Sequence, residues 1–323
     1  MTPRSFLLCV VMTVAGTASA SLFSPAVAKD CTSVEKAAGN AQLFEIQSNK
    51  QFQKQLINYH APKGLPVPTA MTENESILFQ LGYIMNHDAD LRTSTWVTYQ
   101  LNANDVSRAQ GKKRVDCFRD DPRLSEEMTA SETDYKEPVF DQGHMANDAD
   151  IKDDFLQQIN TYVMSNISPQ HCRFNRGIWL SLEHLGRKWA KQYGQIFITS
   201  GAVFDKDGQP GRDSDGSADR MESNNGDMRV AIPSHYYKTF IRKDPDIWQS
   251  ITFLLPHNNA AHGVSWNDVR PGLMGQIAAI QQVEAQTDLH LLPGLNRLHL
   301  MESMDGTGWD LNNVSSNFEF SCN

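Results

Sequence analysis

Apolar side chains recur along the chain with two different periods. Bulky and polar residues alternate over Trp96–Leu101, which is typical of a half-buried strand, and short apolar runs over Gln195–Thr199 and Ser250–Leu255 predict buried strands. Helical spacing is found over 153–164 and 175–193. Because these elements follow no regular βαβ rhythm, the pattern predicts an α+β fold and not a doubly wound sheet.

The helix predicted over 175–193 separates apolar from polar residues. Its buried stripe, with spacings of four, three and four, consists of Ile178, Leu182, Leu185 and Trp189. Glu183 and Arg187 form an i,i+4 pair on another face, and Asn175 is about 80° from Glu183 at 100° per residue. One flank of this helix therefore carries an amide oxygen, a carboxylate and a guanidinium, a set suited to a metal ion and a phosphate.

The first residues have the pattern of an export signal. An apolar stretch from Phe6 to Gly16 follows Arg4, and residues 18–20 form a small-x-small cleavage pattern. We therefore expect a signal peptide over 1–20, followed by an N-terminal arm and linker over 21–78 and the main domain over 79–323. The protein would be exported, to a periplasm or to the extracellular space.

Composition limits the classes of function. The 323-residue chain has 29 Lys and Arg against 38 Asp and Glu, a net charge of −9. This balance argues against a protein that coats nucleic acid, but it does not exclude an enzyme that holds phosphate with a few local cations and a metal. After the signal, no apolar run approaches the roughly 20 residues that a membrane span needs.

Four of the five cysteines follow the signal segment: Cys31, Cys117, Cys172 and Cys322. An even number in an oxidising compartment predicts two disulfides, and four cysteines allow three pairings that spacing does not distinguish.

An acidic, glycine-containing insertion covers 205–229. Clustered carboxylates suit Ca²⁺, but the glycines are not placed as an EF-hand loop requires, so we interpret the insertion as a solvated surface loop.

The residues with the strongest chemical signal follow one another over about forty positions. They are Asp141-Gln142-Gly143-His144, Asn166 to Gln170, Asn175 and Glu183. A histidine can accept a proton from water near neutral pH, and an asparagine oxygen is a hard neutral ligand suited to Mg²⁺. Taken singly, an Asn at a helix start is more often a cap and a Glu–Arg pair more often a surface pair. Their joint occurrence favours a site.

These motifs resemble the DNA/RNA non-specific endonucleases, the sugar-non-specific branch of the ββα-metal nucleases. The family signature is Asp-Arg-Gly-His, then Asn-Ile-Ser/Thr-Pro-Gln, then Asn and a Trp-x-x-Leu-Glu helix. Further landmarks occur in order at Trp96–Leu101, Gly111–Arg114, Asp134-Tyr135, Ser200–Phe204 and Ile232–Lys238. The resemblance covers about Phe79 to Leu300. It implies a ββα-metal core on a central, mostly antiparallel sheet flanked by helices.

The resemblance also implies roles for the metal site. His144 would be the general base that activates water. Asn175 would be the single protein ligand of a hydrated Mg²⁺, which Mn²⁺ could replace, and Glu183 would hold water molecules of the metal shell.

Other residues would hold the substrate. Arg114 matches an arginine that braces the phosphate, and Arg187 matches a second one. Asn166 and Gln170 match amides that line the site, although a structural role in a turn is equally compatible with them. Gln142 stands where the family usually has Arg, so we expect weaker substrate binding than in a relative with that arginine.

If Arg114 and Asn175 converge on one phosphate, the neighbouring cysteines should approach each other. The resemblance therefore favours the disulfides Cys117–Cys172 and Cys31–Cys322.

The leading hypothesis is a secreted, Mg²⁺-dependent endonuclease of DNA and RNA with little sequence preference, acting as a monomer or a homodimer and without a membrane partner. One alternative is the same chemistry on a single polymer or on another phosphodiester, which Gln142 would explain. A third is a non-catalytic nucleic-acid-binding relative, but such a protein has no use for a base beside a metal ligand.

Overall fold

The computed structural model describes residues 29–69, 72–135, 140–204, 219–223, 226–312, 314 and 322. The predicted signal peptide and most of the acidic insertion, residues 205–218, lie outside the described residues. In the described ranges, none of the helices combines the length and the hydrophobicity of a membrane span.

The described helices and strands run in chain order. The α-helices are α1 (Ser33–Ser48), α2 (Lys50–His60), α3 (Ala103–Ala109), α4 (Asp148–Ile151), α5 (Phe155–Ile159), α6 (Leu180–Tyr193), α7 (Trp266–Met274) and α8 (Ile280–Thr287). The strands are β1 (Lys29–Asp30), β2 (Val67–Pro68), β3 (Glu75–Phe79), β4 (Ile84–Asp88), β5 (Thr93–Asn102), β6 (Val115–Asp116), β7 (Phe140–His144), β8 (Ile167–His171), β9 (Gln195–Val203), β10 (Arg220–Glu222), β11 (Met228–Ala231), β12 (His235–Asp244), β13 (Ile247–Pro256), β14 (Ile277–Ala278), β15 (Leu289–His290) and β16 (Leu300–Glu302). Short 3₁₀ turns cover Glu132–Asp134, Asn160–Tyr162, Met164–Asn166 and Arg297–His299, and a π-helical segment covers Phe174–Trp179.

A sheet of eight strands forms the centre of the fold. Its order is β14-β13-β12-β9-β5-β4-β3, with β16 paired to β13. Every neighbouring pair is antiparallel except β13 with β16. The α+β class and the mostly antiparallel sheet expected from the sequence are confirmed.

The two faces of the sheet bury different hydrophobic clusters. Along β5, Val97 joins the cluster that packs against α6, and Trp96 joins the cluster on the opposite face with residues of α2 and α8. The α6 stripe is buried as its spacing predicts, with Leu182, Leu185 and Trp189 fully enclosed. Each such side chain contributes roughly 1.5–3 kcal/mol by leaving water, so α6 is fixed firmly to the sheet.

Strands β7 and β8 form a separate antiparallel ribbon that leads into α6. Asp141 pairs with Gln170, and His144 pairs with Ile167 at the ribbon end. A Cβ atom at Gly143 would lie 2.3 Å from the Gln170 side chain, so a glycine is required there. The ribbon, the π-helical segment and α6 together form the ββα unit.

The N-terminal segment is part of the same packed body. Helix α1 begins with a capping box in which the Thr32 side chain accepts from the Glu35 backbone N–H. Leu43 and Ile46 of α1 and Leu56 of α2 are buried in the two main clusters. The boundary placed between residues 78 and 79 falls inside strand β3.

The helix predicted over 153–164 is wrong in its extent. Helix α5 ends at Ile159, and a 3₁₀ turn follows. The reason lies in Asn160, whose side chain accepts from Arg119 at 2.6 Å and donates to Gln42 at 2.9 Å. These tertiary bonds hold the chain in a turn where the local pattern favours a helix.

The predicted disulfide pairing is also wrong. The bridges are Cys31–Cys117 and Cys172–Cys322, with Cα atoms 5.1 Å and 5.7 Å apart. Strand β1 runs parallel to β6 and brings Cys31 beside Cys117, which is buried with Val115 and Tyr162. Because an arginine side chain is long, Arg114 lines the same pocket as Asn175 although Cys117 is not bonded to Cys172.

Candidate active site

A pocket of about 190 Å³ lies between the β7–β8 ribbon and α6. It is lined by Arg114, Gln142, His144, Asn147, Asp148, Ala149, Asn175, Arg176, Leu180, Glu183 and Arg187. Six of the eight site residues predicted from the sequence therefore share one pocket: Arg114, Gln142, His144, Asn175, Glu183 and Arg187.

His144 ends strand β7 and is enclosed by aromatic rings. Its ring meets Tyr162 edge-on at 4.7 Å between centroids, and Phe118 lies at 5.7 Å. The indole Nε1 of Trp179 donates to the His144 carbonyl oxygen at 3.3 Å. Nε2 has no hydrogen-bond partner among the described residues. Burial lowers the pKa of His144 to about 4, so the imidazole is neutral at pH 7 and its lone pair can accept a proton.

Asn175 is oriented by an acidic neighbour. Its Nδ2 donates to Asp141 Oδ2 at 2.9 Å, and the same carboxylate receives two bonds of 2.8 Å from Arg176. Since the amide nitrogen is committed to Asp141, the amide oxygen is the atom that Asn175 can offer a cation. The π-helical segment that contains Asn175 sets its direction relative to α6.

Glu183 lies on α6 and is 7 % exposed. Burial raises the pKa of Glu183 to about 7. The positive charges of Lys238 and Arg187 and a hydrogen bond from Asn147 have the opposite, smaller effect of lowering it. The carboxylate is therefore close to its titration point at neutral pH, and a nearby cation would favour its ionised form.

Arg114 reaches the pocket beside the histidine. Its Nε donates to the Tyr162 hydroxyl at 3.2 Å, and that hydroxyl donates to Asp148 Oδ2 at 2.9 Å. The guanidinium is thus held on one edge, and Arg114 forms part of the pocket wall.

Arg187 has a different partner from the one expected. Its guanidinium donates to Asp150 Oδ1 at 2.7 Å, whereas the sequence predicted an i,i+4 pair with Glu183. Asp150 is buried, and its other oxygen accepts from Tyr99 at 2.8 Å. The bond to the buried Asp150 therefore determines the direction of the Arg187 guanidinium.

Asn166 does not line the pocket, and its contacts fit the alternative interpretation from the sequence, a structural role in a turn. It is fully buried and fastens a turn: Oδ1 accepts from Ala146 N at 2.9 Å, and Nδ2 donates to the carbonyl oxygens of Ala146 and Thr161 at 3.0 Å and 2.8 Å. Its hydrogen-bonding groups are used by the fold.

Gln170 does not line the pocket either. It is fully buried beneath Gly143, and its amide atoms have no hydrogen-bond partner among the described residues. The alternation of strand β8 points this side chain under the ribbon, away from the pocket.

The donors present fit a hard, hydrated cation. Among the described residues, no group of three or more His, Cys, Asp or Glu side chains is arranged to hold a metal ion. Mg²⁺ commonly keeps several waters and takes one or two protein oxygens. The Asn175 oxygen with the Glu183 carboxylate nearby fits such an ion.

A family profile described as DNA/RNA non-specific endonuclease matches residues 62–298. The chain belongs to the DNA/RNA non-specific endonuclease family. A solved structure of the EndoG/EndoGI complex has the same fold, with a TM-score of 0.61 over 76 % of this chain and 95 % of that chain at 21 % identity.

Several characterised nucleases are similar to this chain over about half of its length. Mitochondrial nuclease EXOG of Danio rerio is 30 % identical over 168 residues, 52 % of this chain and 48 % of that protein. Human mitochondrial endonuclease G is 28 % identical over 181 residues, 56 % and 57 % of the two chains. Nuclease C1 of Cunninghamella echinulata var. echinulata is 28 % identical over 178 residues, 54 % and 69 %. The chain spans about half the length of the first two relatives.

The pocket also contains residues that were not predicted from the sequence. Asn147 and Asp148 follow His144 closely and start α4, where they read as ordinary cap residues. Arg176 adjoins Asn175 and is 40 % exposed. The sequence did place Arg176 directly after Asn175, the predicted metal ligand, and this position could have identified it. Arg176 adds a positive charge to the pocket that Gln142 also lines.

Proposed function

We propose that the protein is an exported, Mg²⁺-dependent endonuclease that hydrolyses DNA and RNA with little sequence preference. One observation carries the proposal: a neutral His144 with an unused Nε2 shares a pocket with Asn175, whose amide nitrogen is taken by Asp141. A proton acceptor beside an oxygen ligand for a cation is the pair of groups that metal-assisted hydrolysis of a phosphodiester can use.

The residues of the pocket divide the chemistry between them. His144 Nε2 takes the proton of the attacking water, since burial keeps the ring unprotonated. Arg114 and Arg176 line the pocket and would offer N–H groups to the phosphate, and Arg187 lines the same pocket while bonded to Asp150. A Mg²⁺ bound at Asn175, with Glu183 accepting hydrogen bonds from its water shell, would stabilise negative charge on the leaving oxygen.

Weak base discrimination follows from this arrangement. The pocket supplies guanidinium and amide groups that suit phosphate, and phosphate contacts carry no sequence information. Gln142 supports a second candidate, an enzyme that prefers one polymer, because it replaces a cation at the pocket wall with an amide.

The export proposal rests on the sequence of residues 1–20 and on the two disulfides, which persist in oxidising compartments. A periplasmic or an extracellular location fits both. Mass determination of the protein recovered from outside the cytoplasm should show a chain starting at Ser21.

The test is cleavage of supercoiled plasmid and single-stranded RNA by the purified mature chain. Assays contain Mg²⁺ or EDTA, and His144→Ala is run in parallel. We expect metal-dependent cutting of both polymers and a loss of about 10²–10⁴-fold in the variant. Cutting of one polymer alone would favour the second candidate. Absence of cutting by a folded wild-type chain would reject the endonuclease.

A further inference from the structure

Lys238 is a buried cation that the proposed chemistry does not use. It lies on β12 between its cross-strand neighbours Ser200 and Phe253, on the face of the sheet that packs against α6. The residue is 1 % exposed, and Nζ has no hydrogen-bond partner among the described residues. A buried ammonium without hydrogen bonds is costly, so its retention calls for a specific interaction.

The ammonium contacts the ring that supports the histidine. Nζ of Lys238 lies 4.0 Å from the centroid of the fully buried Trp179 ring, a cation–π distance. On its edge, the same indole donates from Nε1 to the His144 carbonyl oxygen. Lys238 therefore contacts Trp179, the residue whose hydrogen bond holds the end of strand β7 at His144.

Charge counting gives Lys238 a second connection to the pocket. Four charged side chains at the pocket act on one another electrostatically: Asp150, Glu183, Arg187 and Lys238. Arg187 is bonded to Asp150 at 2.7 Å, so these two compensate each other. Glu183 then has Lys238 as its counter-charge, and Lys238 is the strongest charge that favours the ionised Glu183.

We propose that Lys238 is a positioning residue of the active site, which balances the charge of Glu183 through space and holds Trp179 against the backbone of His144. The inference rests on the proposed function. Lys238 touches neither substrate nor metal, and acts only through Glu183 and Trp179.

The first experiment compares Lys238→Met with the wild-type chain. Methionine keeps the length and the apolar contact but removes the charge. We expect kcat to fall about 10–100-fold with KM changed less than about threefold, and the Mg²⁺ concentration that half-saturates the thermal stabilisation of the substrate-free protein to rise by a similar factor. Lys188→Met is the matched control, since Lys188 pairs with Asp310 and lies outside this pocket. An unchanged kcat and an unchanged Mg²⁺ midpoint would overturn the proposal.

The second experiment separates charge balance from general packing. Removing one member of a buried pair leaves an uncompensated charge, whereas removing both does not. Lys238→Met should therefore lower Tm more than the double variant Lys238→Met/Glu183→Gln does. If the single variant does not fold, a folded double variant supports the pairing. Additive Tm losses, or failure of both to fold, would reject it. This comparison needs no activity, so it remains decisive even if the wild-type chain cuts no nucleic acid and the proposed function fails.

Discussion

The carboxylate of Asp141 fixes the amide of Asn175 across 2.9 Å and so determines which atom of Asn175 faces a cation. Asp141→Ala should free the amide and lower the affinity for Mg²⁺ about 10–100-fold. Titration of activity and of Tm with Mg²⁺ measures this. Arg176→Gln is the control, because it removes the other partner of Asp141 and leaves the Asn175 bond in place. A Mg²⁺ midpoint equal to that of the wild type in Asp141→Ala would show that Asn175 is not the ligand.

The pH dependence of cleavage should be controlled by Glu183. With the pKa of His144 lowered to about 4 and that of Glu183 raised to about 7, the base is available well below the pH at which the carboxylate ionises. Activity should therefore rise through pH 7. The rise should shift to lower pH as Mg²⁺ increases, since a cation stabilises the carboxylate. If activity instead rises near pH 4 and this pH does not change with the Mg²⁺ concentration, the pH dependence belongs to His144.

Gln142 and Arg176 should compensate each other in substrate binding. Arg176→Gln removes a pocket cation and should raise KM more than it lowers kcat, with a salt dependence shallower by about 0.7–0.9 per lost phosphate contact. Gln142→Arg should lower KM and steepen that dependence. KM and its salt dependence are obtained from plasmid and RNA cleavage at salt concentrations between roughly 50 and 200 mM. Identical slopes in all variants would mean that neither residue meets phosphate.

Asn166 should matter for stability and not for substrate. Asn166→Ala leaves one backbone N–H and two carbonyl oxygens without their partner, which should cost about 2–4 kcal/mol of unfolding free energy. Urea unfolding measures the loss, and KM of the folded fraction should change by less than about threefold. A raised KM at unchanged stability would restore the substrate-binding role.

Buried His60 should make the fold sensitive to acid. Nε2 donates to Leu81 O and Nδ1 accepts from Gln100 N, so the ring is neutral and burial lowers its pKa to about 4. In the unfolded chain the pKa is near 6.5, so the unfolded state binds more protons between these values. The contribution of His60 to the free energy of unfolding is therefore fully present above about pH 6.5. It decreases toward pH 4 by up to about 1.4 kcal/mol per pH unit.

Urea unfolding between pH 4 and 7 should thus show a shallower decline for His60→Gln than for the wild type. Other histidines whose pKa is lowered to about 4, such as His257, keep part of the slope in both chains. Equal slopes in the two proteins would contradict the assignment to His60.

Periodicity and motif order predicted the sheet, the α6 stripe and most of the pocket, because these depend on local spacing. Side chains at hydrogen-bonded turns were harder to assign. An amide at position 166 reads the same whether it faces a substrate or fastens the Ala146 backbone. Contacts between residues that are far apart in the sequence could not be predicted either. The pairing of β1 with β6 that brings Cys31 to Cys117 spans 86 residues, and Arg187 of α6 pairs with Asp150 of a different helix, α4.

The π-helical segment Phe174–Trp179 means that the active site depends on chain length as well as on residue identity. A π turn holds about one residue more than an α turn, so each of its residues turns by less than about 100°, and the angle between Asn175 and Glu183 differs from that in a regular α-helix. Deleting one residue there, or inserting one, would leave every functional side chain in the sequence and yet turn the cation ligand away from its carboxylate. When the chain is redesigned, we therefore expect the number of residues between positions 174 and 183 to matter to the site as much as the identity of His144 does.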